Sequence, residues 1–263
     1  MLKILKNTFL FLTFGFIYAP ILILVVYSFN KGDNGFFFQG FSLKWYKEVF
    51  LSQQIKTAMY NTLLVATTSS LISTAIGILG AYSIYKTKNN KIKTILLSIN
   101  KIPIINPDIV TGISLMTFYS LIKIQLGFST MLVSHIIFST PYIIIIILPK
   151  LYSLPENIIE AARDLGASDS QIFKNIIYPE IIGSVITGSL IAFTLSVDDF
   201  LISFFTTGQG FNNLSILINS LTKKGIKPTI NAISSILFFV ILSLLFIINK
   251  CIGIKKLTID TEI

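Results

Sequence analysis

Six runs of mostly apolar residues, near 8–29, 61–85, 103–122, 129–149, 181–205 and 230–252, leave this 263-residue chain few choices of fold. An α-helix rises about 1.5 Å per residue, so roughly 20 apolar residues cross the ~30 Å hydrocarbon layer of a bilayer. Inside that layer every backbone N–H and C=O must be bonded within the protein, which favours helices. The sequence therefore predicts an all-α membrane protein with six transmembrane helices. Composition agrees, with 53% hydrophobic and 13% charged residues and a mean hydropathy of +0.78; ordinary soluble domains carry about 25% charged residues. The first run follows Lys3 and Lys6, as a signal peptide would. Its apolar core continues past Pro20 to Phe29, beyond the usual h-region of about 7–15 residues, and no A-x-A-like site follows. A retained anchor is expected.

A net charge of +9 could suggest a nucleic-acid partner. The lysines instead flank the apolar runs and form no single basic face, so the expected partner is the lipid membrane and not nucleic acid. Lys3 and Lys6, the group from Lys86 to Lys101, and Lys250, Lys255 and Lys256 place both termini in the cytoplasm by the positive-inside rule. Lys31, Lys44, Lys47 and Lys56 in the first outer loop work against that bias. Cys251 is alone, so no intrachain disulfide can form. One His and one Cys offer no metal set beyond carboxylates, and no G-x-x-x-x-G-K-[ST] phosphate cradle occurs. No metal, no cofactor and no catalytic residue is expected.

Packing signals are local. Ser69, Ser73, Gly77 and Ala81 recur every four residues in the second run, and Ser184, Gly188 and Ala192 in the fifth, stripes that let helices approach closely. The sixth run, ISSILFFVILSLLFII, is bulky nearly all round and should face lipid. The third opens KIPIINPDIV, where Pro103 and Pro107 disfavour helix in the residue before each, so this stretch should face the protein interior. In the outer loop, FSLKWYKEVF carries Trp45 and Tyr46. Aromatics there are usually interfacial anchors; the other reading is a π face offered to a passing cation.

The loop SLPENIIEAARDLGASDSQIFKNIIYPE, 153–180, is too polar to span a membrane and too patterned for a linker. Ser153 and Glu156 have capping-box spacing, with Pro155 in the first turn. A helix should run to about Leu165 and stop at Gly166 in the left-handed region. Ser168 and Gln171 repeat the spacing and begin a second helix, which Pro179 should end. Ile158, Ile159, Ala161, Ala162 and Leu165 need a packing surface, either the chain's own helices or a partner's groove.

The fifth run contains Asp198 and Asp199. Placing two aspartates in hydrocarbon opposes insertion by roughly 2.5–3.5 kcal/mol each, which calls for a partner group, a watery cavity or a cationic passenger. On a continuous helix Ser189, Ala192, Ser196, Asp199 and Ser203 would form one small, polar stripe, with Asp198 about 100° away beside Thr194. Asp108, just after Pro107, is the other acid within a run. His135 is expected to bond helix to helix. A proton-coupled secondary transporter and an intramembrane aspartyl protease could also use such acids, but the glycine-aspartate motifs of those proteases are absent.

With Glu160-Ala161-Ala162, Gly166, Ile176 and Pro179, the loop keeps the spacing E-A-A-x3-G-x9-I-x-L-P, Tyr178 standing for the Leu. In this it resembles the membrane permeases of type I ABC importers. SLKWY, PDIVTGISL and SVDDFLISFFTTG are similar to the second permease subunit of spermidine/putrescine importers. The resemblance covers roughly 57–248 as an ABC transmembrane type-1 domain, with 1–56 an added anchor and outer loop and 249–263 a cytoplasmic tail. It implies the type I importer permease fold in a bacterial plasma membrane. Its expected partners are a second permease subunit, two cytoplasmic ATP-binding subunits and an external polyamine-binding protein. It also implies that Glu160, Ala161, Ala162, Gly166, Ile176 and Pro179 couple the chain to the ATPase. Asp108, Asp198, Asp199 and Ser196, with Trp45 and Tyr46, become candidates for the polyamine pathway. A sister importer for another solute would share the loop and lack the acidic pair or use it structurally.

Overall fold

In a computed structural model of the protein, residues 2–33, 37–225 and 227–259 are described, with side chains for all of these except 2–5 and 247–259. Cys251 lies among the latter, and Asp260 and Glu262 fall outside the described residues. The chain runs through α1 (Leu2–Tyr27), α2 (Lys44–Leu51), α3 (Gln53–Lys86), α4 (Asn90–Ile105), α5 (Asp108–Leu121) and α6 (Phe128–Tyr152). It continues through α7 (Glu156–Asp164), α8 (Asp169–Ile172), a π-turn (Phe173–Ile177), α9 (Tyr178–Asp198), α10 (Leu201–Thr206), α11 (Leu214–Lys223) and α12 (Pro228–Ile259). Among the described residues the only strand-like feature is one isolated bridge between Asn30 and Phe41. The chain divides into two compact units, 1–58 with 217–263, and 59–216.

In the first unit α12 packs on α1 and α2. Phe9, Phe11 and Phe16 of α1 stand out from it, as do Phe239, Leu242 and Phe246 of α12, an apolar surface suited to lipid. The outer loop folds around Asn30, which is fully buried. Its Oδ1 accepts from Gly32 N and Gln39 N, its Nδ2 donates to Phe37 O at 2.8 Å, and its carbonyl accepts from Trp45 Nε1 at 2.6 Å. Trp45 is thus an enclosed residue of this unit, with the Lys44 ammonium 4.5 Å from its ring centre. The Tyr46 hydroxyl is 2.7 Å from Ser28 Oγ and its ring packs on Phe29.

In the second unit α6 holds the core. Ile143, Ile144, Ile147 and Leu151 are buried with Ala81 and Ile84 of α3 and with Ile181, Val185 and Ala192 of α9. The small-residue stripes meet it as expected. A Cβ on Gly77 would come within 2.5 Å of Ile143, and one on Gly188 within 3.3 Å of the same side chain. Ser73 adds a hydrogen bond to the Ile136 carbonyl.

The expected count of six spans is corrected. Five helices among the described residues are long and apolar enough to cross a membrane, and α5 is a shorter apolar helix. Asn106 (ψ 136°) and Pro107 (ψ 140°) are extended, which cuts the third run in two. The clash between a proline ring and the preceding residue accounts for the cut at Pro107. Pro103, by contrast, is absorbed inside α4.

The fifth run is also not one helix. α9 ends at Asp198, Asp199 is extended (ψ 125°), and α10 starts two residues later. Asp199 causes the break: its carboxylate accepts from Ile202 N at 3.2 Å and Ser203 N at 2.7 Å, taking up donors that α10 leaves free at its start.

Candidate functional site

The break in the fifth run brings the three acids of the apolar runs to one place. Asp108 begins α5, Asp198 ends α9, and Asp199 lies between α9 and α10. All three line a cavity of about 310 Å³, together with Phe138, Thr194, Leu195, Phe200 and Leu201. That is within the ~300–1,000 Å³ range of small-molecule sites. The acids differ in state. Asp108 and Asp198 are exposed, whereas the Asp199 side chain is only 5% exposed and bonded to backbone. Apolar walls and three carboxylates make a field that attracts cations and gives anions no partner.

Behind the cavity lies a buried polar cluster. His135 of α6 is 1% exposed; its Nδ1 is 2.7 Å from Ser196 Oγ, its Nε2 2.9 Å from Ser203 Oγ and 3.6 Å from Asp199 Oδ2. Ser69 of α3 donates to Ser196 Oγ at 3.2 Å, and Asn213 donates to Ser203 Oγ at 2.8 Å. His135 is the bonder between helices that its place in an apolar run suggests. Ser196 turns toward His135 and is not among the residues lining the cavity. The expected continuous stripe through Ser196, Asp199 and Ser203 does not exist as a helix face, yet the three residues meet through the imidazole. Trp45 and Tyr46 belong to the first unit, and each has its partner there. Phe138, Leu195, Phe200 and Leu201 were not legible as site residues; Phe138 lies three residues after His135, one turn along α6.

The 153–180 loop forms two short helices at a bend. Gly166 has φ +83°; its N–H bonds Arg163 O at 2.8 Å and the Ala167 N–H bonds Ala162 O at 3.0 Å, the pair of a Schellman cap. Ser168 and Gln171 form the expected capping box. Ser153 does not: its hydroxyl donates back to the Lys150 carbonyl at the end of α6, and α7 starts after Pro155 without a side-chain cap. Nor does Pro179 end a helix. The turn before it is π, with the Tyr178 N–H reaching Phe173 O five residues back, so α9 carries on through the proline at its first turn.

Ile159 packs with Leu154, Ile172, Ile177 and Ile181, and Ala162 and Ile176 pack against that cluster. Lys86 reaches Asp169 at 2.8 Å. Glu160, Ala161, Ile158 and Leu165 stay outside; Leu165 is 89% exposed and Ile158 50%. The loop therefore packs one apolar face on its own unit and leaves a second uncovered.

The profile of the binding-protein-dependent transport system inner membrane component family matches residues 2–253. The spermidine/putrescine transport system permease protein PotC of Haemophilus influenzae is 34% identical over 252 residues, 96% of this chain and 97% of that one. The putrescine transport system permease protein PotI of Escherichia coli is 32% identical over 234 residues, 87% of this chain and 83% of that one. Among solved structures, a chain of a bacterial ABC transporter involved in import of the acidic polysaccharide alginate matches with a TM-score of 0.72 at 18% identity. It covers 95% of this chain and 93% of that chain. The MetNI methionine ABC transporter matches with a TM-score of 0.63 at 19% identity, over 77% of this chain and 98% of that chain. At such identities the structural likeness concerns the fold, that of a type I ABC importer permease. Profile and relatives together show the family: this chain belongs to the binding-protein-dependent transport system inner membrane components, a multi-pass family of transport subunits.

Proposed function

We propose that the chain is the permease subunit of an ATP-driven ABC importer that carries polyamines such as spermidine and putrescine across the bacterial plasma membrane. The observation that carries this reading is the convergence of Asp108, Asp198 and Asp199 on one cavity. A polyamine is a flexible chain of ammonium groups, and separated carboxylates with apolar walls suit its alternating charges and methylenes. Hold at each point should be modest, since a pathway must release what it takes up. Trp45 and Tyr46, engaged within the first unit, are left out of the route, and Ser196 is assigned to its support.

In this reading Glu160, Ala161, Ala162, Gly166, Ile176 and Pro179 shape the element that meets a cytoplasmic ATP-binding subunit, and the uncovered Ile158 and Leu165 enter that subunit's groove. A second permease subunit completes the membrane part, two ATP-binding subunits hydrolyse ATP, and an external binding protein delivers the polyamine. Both termini and the 153–180 loop lie in the cytoplasm.

The test is radiolabelled spermidine uptake, with subunit assembly measured in the same membranes. Asp→Asn keeps volume and hydrogen bonding while removing charge. Asp108→Asn and Asp198→Asn should assemble fully and take up less spermidine. Parental uptake by either, or uptake that survives loss of the ATP-binding subunit, would overturn the proposal.

A further inference from the structure

The two adjacent aspartates have different surroundings, and the difference leads to His135. Asp198 is exposed on the cavity and its carboxylate has no hydrogen bond or ion pair among the described residues, whereas the Asp199 carboxylate is tied to α10. Asp199 leaves the helical path (ψ 125°), and its own bonds, N–H to Leu195 O and carboxylate to Ile202 N and Ser203 N, are local to the break. His135 adds a tie across it from a third helix. Its Nδ1 meets Ser196, three residues before Asp199, and its Nε2 meets Ser203, four residues after it. One ring thus joins the last turn of α9 to the first turn of α10.

We propose that His135 is a positioning residue for transport: by clamping Ser196 and Ser203 on either side of the break, it fixes where the α9–α10 junction presents Asp198 and Asp199 to the cavity. The proposal rests on the reading of that cavity as the polyamine route. The donor order of the cluster supports it. The Asp199 carboxylate, 3.6 Å from Nε2, favours the tautomer with the ring N–H on Nε2, facing Ser203 Oγ and Asp199 Oδ2. The ring therefore turns its positive edge to the buried carboxylate and leaves Asp198 as the acid open to a passing ammonium group. Asn213 holds Ser203 Oγ as well, at 2.8 Å.

A filler that merely packs can be apolar here, because without the imidazole Ser196 keeps Ser69 and Ser203 keeps Asn213 as hydrogen-bond partners. A clamp cannot. The experiment compares His135→Leu and His135→Gln in the assembled importer, with Asp198→Asn beside them. For His135→Leu we expect parental assembly and an unchanged half-saturating concentration of binding protein. Its maximal spermidine uptake should fall by about tenfold or more, the scale on which misplacement of about 1 Å slows a positioned reaction. His135→Gln keeps one donor and one acceptor and should recover most of the rate. Parental uptake by His135→Leu, with Asp198→Asn impaired, overturns the positioning role and leaves the cavity reading intact. Loss of assembly in both His135 variants also overturns it, in favour of packing alone. Parental uptake by Asp198→Asn removes the cavity reading and this inference together.

Discussion

Gly77→Ala places one methyl group where the close approach of α3 to α6 leaves no room. The new Cβ would stand 2.5 Å from Ile143 Cγ2 and 2.9 Å from its Cβ, where ordinary contact begins at 3.4 Å. Ile143 is fully buried, and a Cβ added to Gly188 of α9 would also meet it, at 3.3 Å. Neither the side chain nor α6 can yield cheaply, so the cost should be that of overpacking, about 1–3 kcal/mol. Gly183→Ala is the matched control: it too lies inside a helix, in α9, and an added Cβ there meets nothing within 4 Å. Both substitutions gain the same helix propensity, so their difference isolates the contact. At roughly 2–4 °C per kcal/mol for chains of this size, Gly77→Ala should lower the apparent midpoint of heat inactivation by about 2–12 °C relative to Gly183→Ala. Detergent-solubilised importer, heated at one fixed rate and assayed by size-exclusion chromatography, gives that number. Ile143→Ala should cost about 2–5 kcal/mol alone. In the Gly77→Ala background it should cost at least about 1 kcal/mol less, because the clashing Cγ2 is gone. Equal midpoints for the two glycine variants, or full additivity in the double variant, would refute the argument.

Two further outcomes concern the loop and the orientation. Gly166→Val forces a β-branched residue to φ +83°, a strain of at least about 1–2 kcal/mol; the variant should insert but lose co-purification with the ATP-binding subunit. Leu165→Asp changes an 89% exposed side chain, so the permease should keep its stability while ATP hydrolysis no longer drives uptake. Normal transport by both would refute the docking role. In a Cys251→Ser background, Gln53→Cys should label with an impermeant thiol reagent in intact cells and Asn89→Cys should not; the reverse pattern would overturn the orientation.

What was legible in the sequence was what depends on a residue's own chemistry or on neighbours a turn away. Gly166 could be read because few other residues accept a left-handed cap, and the Ser168–Gln171 box because both partners sit three residues apart. The stripe at Gly77 and Ala81 followed from size alone. Asp199 misled because apolar periodicity continues through Phe205, and nothing local shows that a carboxylate will cap a new helix instead of staying in the old one. Pro179 misled for a similar reason: the π-turn that accommodates it is a property of the whole turn. Asn30, which organises the outer loop, and Phe138, which walls the cavity, take their roles from partners distant in sequence, and no pattern in the letters records such meetings.

The π-turn at Phe173–Ile177 sets a phase. One unbroken helical path runs from Asp169 at the bend to Asp198 at the cavity, so the two ends cannot rotate independently. Each residue of that path is worth about 100° of turn and about 1.5 Å of rise. A single extra residue, taken up in one wide turn, decides whether the uncovered side of the loop and the cavity side of α9 point the same way or apart. Gain or loss of one residue between 173 and 175 would leave the apolar runs and the motif's named side chains in place and alter only its x9 spacing. It would nonetheless turn the loop out of step with the acids, as a gear slips one tooth.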